Sequence, residues 1–305
     1  MGPQTRRDFL KTSAMGAAAA AAGGSTVGAA KREFDISLAG WSLHRSIGKQ
    51  AGKIPMLDMP RLAREEFGIG AVELVSTMLA STESDYVKDL IKRAEQYKVA
   101  IKLIMIDGQG SIGADNEDAR ESAVKNHKQW IDMAAEMGCH SIRMNWVGGP
   151  KEVSGNDAEI DSFIKRSVGP FRELCDYGDS KKLYVIIENH GGPSSYPAVM
   201  EKLMKAVDHP RFGTLPDFGN FPAEVDIYDA IDRLMVFAKM AVSAKCYDFD
   251  DKTGDETKLD YPRLISNVVD KHGYHGFIGI EYEGNRLSEF DGIKACKKLL
   301  DKLRG

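Results

Sequence analysis

Cysteine is scarce in this 305-residue chain: Cys139, Cys175, Cys246 and Cys296 are widely spaced and form no CxxC pair. That spacing does not suggest a disulfide framework, and buried free thiols are the expected state. Cys296 falls on the apolar stripe Ile293, Cys296, Leu300, Leu303 of a terminal helix. There is no basic excess: 41 Lys and Arg stand against 45 Asp and Glu, a net charge of −4, which argues against a nucleic-acid-coating protein. A mean hydropathy of −0.32 excludes a polytopic membrane protein. After residue 30 no Pro/Gly/Ser-rich linker, close repeat or low-complexity tract divides the chain, so a single domain is expected there. What is present is the composition of a soluble globular protein, 43% hydrophobic and 28% charged, on a chain long enough for a sizeable core.

The composition is uneven at the start. Residues 1–30 carry three basic residues and one acidic residue, so the rest of the chain carries −6 against −4 for the whole. Thr5-Arg6-Arg7-Asp8-Phe9-Leu10-Lys11 matches the twin-arginine export pattern. A weakly apolar stretch follows from Ala14 to Ala22, and Gly28-Ala29-Ala30 offers a small-x-small cleavage site before Lys31. The stretch is too short and too rich in Ala and Gly to span a bilayer stably. No Cys lies near the cleavage point, so no lipoprotein anchor is expected. The expected organisation is a signal peptide over 1–30 and a mature domain over 31–305, periplasmic or extracellular, with the twin-arginine translocation machinery as a partner. That route exports folded proteins, often with a cofactor bound, which favours a metal or other ligand acquired in the cytoplasm.

Eight short apolar runs recur along the mature chain: Asp35–Ala39, Ala71–Val75, Ala100–Ile106, Ser141–Asn145, Leu183–Glu188, Gly213–Asp217, Ala241–Cys246 and Phe277–Glu281. Their starts lie about 28 to 42 residues apart, a regular βα pitch. Helical patterns fill the gaps. Ala123, His127, Trp130, Ile131, Ala134 and Met137 keep helical spacing and end at Gly138. Tyr86, Leu90, Ile91, Ala94 and Tyr97 precede the third run, and Tyr261, Ile265, Val268 and Val269 the eighth. Eight βα units in about 275 residues predict a (β/α)₈ TIM barrel, with a doubly wound open sheet as the alternative.

In such a barrel the site forms at the C-terminal ends of the strands, and side chains alternate between interior and helical layer. Glu188 shares a face with Ile186 and His190, Glu281 with Gly279, and Lys245 with Ser243, while Cys246 turns to the helices. Arg143 and Asn145 pair on the fourth strand, and Glu73 is read as ending the second. The expected mouth therefore gathers Glu73, Glu188, Asp217 and Glu281 against Arg143 and Lys245. Carboxylates buried together raise one another's pKa, and a divalent cation would relieve them. The oxygen-rich set suits Mg²⁺, Mn²⁺ or Ca²⁺ more than a thiolate-bound zinc.

Ile187-Glu188-Asn189-His190-Gly191-Gly192, Pro216-Asp217-Phe218-Gly219-Asn220 and Gly279-Ile280-Glu281-Tyr282-Glu283-Gly284 resemble the motifs of the sugar phosphate isomerase/epimerase superfamily, the xylose-isomerase-like barrels, over about Phe34 to Leu303. The resemblance implies a divalent metal, Mn²⁺ or Mg²⁺, on a Glu of strand five, an Asp of strand six, a His of strand seven and a Glu of strand eight. Glu188, Asp217 and Glu281 match three of these. The strand-seven motif usually reads His-x-Lys-Asp; here it reads Ser243-Ala244-Lys245-Cys246, with only the Lys retained. The metal is then expected on three carboxylates with water or His190, weakly held, or lost.

Two other signals weigh less. Gly108-Gln109-Gly110-Ser111-Ile112-Gly113 spells GxGxxG, but the acid a dinucleotide site needs about 20 residues on falls inside a helix, so a flexible loop over the mouth is expected. Lys245 as a Schiff-base lysine is less favoured than Lys245 paired with Glu281 or a substrate oxygen.

The leading expectation is an exported enzyme acting on a sugar, polyol or glycoside by metal-assisted proton abstraction next to a carbonyl or carbinol carbon. Glu188 and Glu281 serve as acid and base, Asp217 as a metal ligand, and Lys245 as a catalytic donor. Arg143, Asn145, His190 and Asn220 orient hydroxyls, with Trp41, His44 and Glu73 as further substrate contacts; Trp41 and Trp146 are equally suited to stacking on a sugar or to core packing. Free sugars or glycosides are favoured over phosphates outside the cytoplasm. The alternatives are a lyase or hydrolase on keto-glycosides, and a non-catalytic carbohydrate-binding barrel that has lost its metal. Barrels of this class often associate, so an oligomer is possible; no nucleic-acid partner is expected.

Overall fold

A computed structural model describes residues 31–49 and 52–305; the twin-arginine segment and the cleavage site expected before Lys31 lie outside the described residues. Eight parallel strands alternate with helices: β1 (Asp35–Ala39), β2 (Ala71–Val75), β3 (Ala100–Ile106), β4 (Ser141–Met144), β5 (Tyr184–Glu188), β6 (Phe212–Leu215), β7 (Ala241–Cys246) and β8 (Phe277–Tyr282). The sheet runs β6-β5-β4-β3-β2-β1-β8-β7. Its two edge strands approach through isolated bridges, Thr214 to Ala238 and Asp217 to Ser243, so the barrel is nearly closed. Gly213 permits that seam: a Cβ there would lie 2.6 Å from the carbonyl oxygen of Phe237 and 2.3 Å from Cγ of Lys239. The doubly wound alternative is excluded by this closure.

The outer layer comprises α1 (Met59–Glu65), α2 (Ser84–Tyr97), α3 (Glu117–Glu136), α4 (Asp157–Ser180), α5 (Pro197–Val207), α6 (Ile227–Met235), α7 (Tyr261–Ile265), continued by a π-helical turn over Ser266–Lys271, and α8 (Glu289–Arg304). Local chemistry sets these ends. Asn116 caps α3 by accepting from the Ala119 amide at 2.9 Å, and Gly138, at φ +73°, takes the left-handed turn just past its end. The buried face of α3, including Ala123, His127, Trp130, Ile131 and Ala134, is the one its spacing predicts. None of the described helices is long and apolar enough to cross a membrane.

The strands are buried on both faces, as parallel strands between a packed barrel interior and a helical layer must be. All four cysteines are free and buried. Cys246 faces the helices, where the Tyr261 hydroxyl lies 3.7 Å from Cys296 Sγ. The GxGxxG segment forms a tight packed loop. Gly108 and Gly110 have φ of +74° and +98°, and a Cβ on Gly113 would meet the Phe163 ring at 2.3 Å. Those glycines answer to backbone geometry and close packing.

Candidate active site

Each acidic side chain at the mouth is positioned by its strand and the turn that follows it. Glu188 ends β5 and Asp217 lies just beyond β6. Asn189 fixes the second turn to the first. Its Oδ1 accepts from the Asp217 amide at 2.8 Å, and its Nδ2 donates to the carbonyls of Asp217 and Gly219 at 3.0 and 2.9 Å. The Gly219 amide donates to Asp217 Oδ1 at 2.8 Å, which leaves Asp217 Oδ2 free. Glu281, near the end of β8, accepts from the Ser243 hydroxyl at 2.9 Å. One carboxylate oxygen from each of Glu188, Asp217 and Glu281 lies within 4.8 Å of the others, and all three residues are buried.

Two cations face this triad. The Lys245 ammonium is 3.0 Å from Glu281 Oε1, 3.9 Å from Asp217 Oδ2 and 3.4 Å from Glu283 Oε1. Arg143 Nε approaches Glu188 Oε2 to 2.6 Å, but without the alignment of a hydrogen bond, so both atoms are left without a hydrogen-bond partner. Arg143 Nη1 donates to Asp107 and Asn145 at 2.9 Å each, and Asn145 donates to Asp107 at 2.6 Å. Asn220 joins the two halves, donating to Glu188 Oε1 at 3.0 Å and accepting from Lys245 at 3.3 Å. It does so from a left-handed backbone, φ +60°, a region Asn tolerates better than most side chains.

The electrostatics follow from burial and pairing. Burial raises the Glu188 pKa, opposed by the Arg143 guanidinium. Burial likewise raises Asp217 well above the usual carboxylate range, opposed by Lys245. For Glu281 burial pushes upward too, but the adjacent Lys245 overcomes it and holds the carboxyl below its ordinary value. Burial lowers the Lys245 pKa, and Asp217 and Glu281 more than offset it, so the ammonium stays charged.

A cavity of about 200 Å³ opens onto this group, lined by Trp41, Val75, Met105, Asp107, Arg143, Asn145, His190 and Glu281. The Trp41 indole donates to Glu283 Oε1 at 2.6 Å. His44 stacks behind Trp41, with ring centroids 5.1 Å apart, and its Nδ1 lies 2.8 Å from the Trp41 carbonyl oxygen. It supports the tryptophan and does not line the cavity. Trp146 is core: it stacks on Phe163 at 4.5 Å and donates to Ser167 at 2.9 Å.

Glu73 differs in place from the sequence reading. It stands in the middle of β2, not at its end, because the strand continues through Val75. Its carboxylate accepts from the Ser37 hydroxyl at 2.5 Å, lies over Gly279 and does not line the cavity. Burial raises its pKa to about 7, partly countered by the Ser37 hydrogen bond. Four residues of the constellation were missed: Asp107, Asn189, Glu283 and Tyr247, whose hydroxyl approaches Gly219. Glu283 and Asn189 stood inside the quoted motifs, and their polar character beside the ligand positions was the available signal.

The donor set fits a divalent cation. Three buried carboxylates converge, and Glu188 Oε2 and Asp217 Oδ2 have no hydrogen-bond partner. Buried unpaired carboxylate oxygens are costly, and a hard cation satisfies them. The usual strand-seven imidazole is replaced by Ser243, whose hydroxyl is engaged with Glu281.

Solved structures share the fold at low identity. A 3-keto-D-glucoside 4-epimerase from E. coli matches with a TM-score of 0.65 and 18% identity, over 89% of this chain and 99% of that one. A probable 3-DHS dehydratase from Bacillus anthracis matches at 0.65 and 19%, over 88% and 99%. A xylose isomerase-like barrel from Mycobacterium smegmatis, solved in complex with magnesium, matches at 0.63 and 17%, over 90% and 95%. No curated protein matches the chain significantly. Residues 3–23 match the twin-arginine translocation signal sequence, which indicates export by that route. Residues 61–304 match the family described as Xylose isomerase-like TIM barrel, and the chain belongs to that family.

Proposed function

We propose that the protein is an exported, periplasmic or extracellular, isomerase or epimerase that moves a proton next to a carbonyl or carbinol carbon of a neutral sugar or polyol. The observation that carries this reading is the buried triad Glu188, Asp217 and Glu281, of which Glu281 lines a cavity of about 200 Å³ with an indole wall. A divalent metal, Mn²⁺ or Mg²⁺, held by these three carboxylates would polarise substrate oxygens.

The chain's own residues supply the rest. Glu281 stays ionised beside Lys245 and lines the cavity, so it is suited to take the proton. Glu188, whose Oε2 has no hydrogen-bond partner, is suited to return one. Lys245, Arg143, Asn145, His190 and Asn220 orient hydroxyls or donate to developing negative charge. Trp41 offers an apolar face to a sugar ring. Arg143 and Lys245 are both paired with carboxylates, and His190 is the remaining titratable donor on the cavity wall. That leaves little to neutralise a phosphate dianion, which favours an unphosphorylated substrate.

Solvent-deuterium incorporation, followed by mass spectrometry over a panel of free sugars, polyols and keto-glycosides, tests the reading alongside metal analysis of the purified protein. Stoichiometric metal, exchange at one carbon and loss of that exchange in Glu281→Gln are expected. Elimination products from a keto-glycoside would instead place the chemistry with the lyases, a reading favoured by the dehydratase named for the Bacillus anthracis structural neighbour. Sugar binding with neither metal nor exchange would mean a non-catalytic barrel, which Ser243 at the usual imidazole position favours.

A further inference from the structure

We propose that Lys245 is a built-in competitor for the divalent cation: its ammonium and the metal are alternative occupants of the same carboxylate oxygens, and metal entry moves the ammonium onto Glu283 and Asn220. This rests on the triad's role as the metal-binding set proposed above.

The contacts define the competition. Asp217 Oδ2 is one of the two orphaned carboxylate oxygens of the site, and its nearest positive charge is Lys245, 3.9 Å away. Glu281 Oε1 is 3.0 Å from the same ammonium, while the other oxygen, Oε2, is held by Ser243. A cation bound to Asp217 and Glu281 therefore draws on oxygens that already neutralise Lys245. All of these groups are buried, so water cannot screen the two positive charges from one another. Arg143 does not compete in the same way, because it contacts Glu188 alone of the triad and is also held by Asp107 and Asn145.

The side chain also has somewhere to go. Glu283 Oε1 and Asn220 Oδ1, neither belonging to the triad, lie 3.4 and 3.3 Å from Nζ. The stem runs along Gly219, where a Cβ would come within 2.9 Å of Lys245 Cδ, so the absence of a side chain there leaves the long lysine stem its path. Glu283 Oε1 also accepts from Trp41. Movement of the ammonium toward Glu283 therefore changes the hydrogen bonding of a residue on the cavity wall, which links metal occupancy to the sugar-binding surface.

The test is direct binding of Mn²⁺ to the chelator-stripped protein, read by calorimetry and by electron paramagnetic resonance of free Mn²⁺. Lys245→Met should bind Mn²⁺ at least tenfold more tightly than the parent, and Lys245→Arg should show no gain. If Lys245→Met folds only when Mn²⁺ is present, as followed by circular dichroism, the cation has taken over the ammonium's role and the proposal stands. Equal or weaker Mn²⁺ binding by Lys245→Met overturns it. Glu283→Gln provides a second arm. It removes the charged acceptor for the displaced ammonium and should weaken Mn²⁺ binding at least threefold; unchanged or tighter binding overturns the displacement. A parent protein that binds Mn²⁺ and exchanges deuterium, with a Lys245→Met variant that gains nothing, loses this inference and keeps the proposed function. If neither the parent nor Lys245→Met binds Mn²⁺, the inference fails together with the metal-assisted reading.

Discussion

A Cβ on Gly279 would lie 2.6 Å from Oε1 of Glu73, so the missing side chain on β8 is the space in which the β2 carboxylate sits. The sequence shows a glycine two residues before Glu281 and an acid on β2; only the strand order, with β1 paired to both β2 and β8, brings them together. Gly279→Ala forces the carboxylate or a strand to move in a packed interior. It should destabilise by about 1–3 kcal/mol in denaturant titration. Combined with Glu73→Ala, the loss should be clearly smaller than the sum of the two single changes, because they share one space. Additive losses would mean that the two positions do not share that space.

Glu73 also gives a pH dependence with a defined sign. Its pKa is about 7 in the folded protein, against an ordinary 4.5. Between those values the folded state keeps a proton that the unfolded chain has lost, so this group's contribution falls as pH rises from about 4 to about 7 and is level above. The change is roughly 3 kcal/mol. Glu73→Gln removes it. The stability of the variant relative to the parent should therefore improve by about that amount between pH 4 and pH 8. Parallel stability curves would count against a buried, protonated Glu73.

Asn220 separates backbone strain from site chemistry. At φ +60°, Asn220→Gly keeps the turn without penalty, while Asn220→Ala adds about 1 kcal/mol of strain. Both variants lose the side-chain bonds to Glu188 and Lys245. Deuterium exchange should fall by a similar factor, about tenfold, in both. Their melting temperatures should differ, with the glycine variant the more stable. An alanine variant as stable as the glycine variant would contradict the strain.

Trp41 and Trp146 are alike in the sequence reading and opposite in place. Trp146→Ala removes a buried ring stacked on Phe163 and should cost about 3–5 kcal/mol of stability. Trp41→Ala, on the cavity wall and half-buried, should cost much less stability and weaken sugar binding several-fold in calorimetry. A destabilised Trp41 variant with unchanged sugar binding would reverse the assignment.

The strands were legible because a parallel barrel strand buries both faces, so five-residue apolar runs stand out against helical spacing. Seven runs match their strands to within one residue at either end, Ser141–Asn145 among them although its strand ends at Met144; Gly213–Asp217 shifts back to Phe212–Leu215. The ends blur there because Asn145 has left the ladder to line the cavity and Asp217 keeps only an isolated bridge to Ser243. Glu188, Asp217 and Glu281 were legible because strand parity and position are local properties of sequence. Asp107 and Glu283 each lie one residue past the end of a strand, outside the apolar runs that marked the others.

What the sequence by itself determined is the export signal, the eightfold βα order and the three carboxylates at strand ends, since each depends on residues close together in the chain. Tertiary structure alone decided which charges pair, that Glu73 lies over Gly279 away from the cavity, that His44 supports Trp41, and that Trp146 belongs to the core. Apart from the local His44–Trp41 contact, those relationships join residues tens to hundreds of positions apart, and their energies depend on burial. An acid in a sequence has no local environment until closure of the barrel removes its water and gives it a partner.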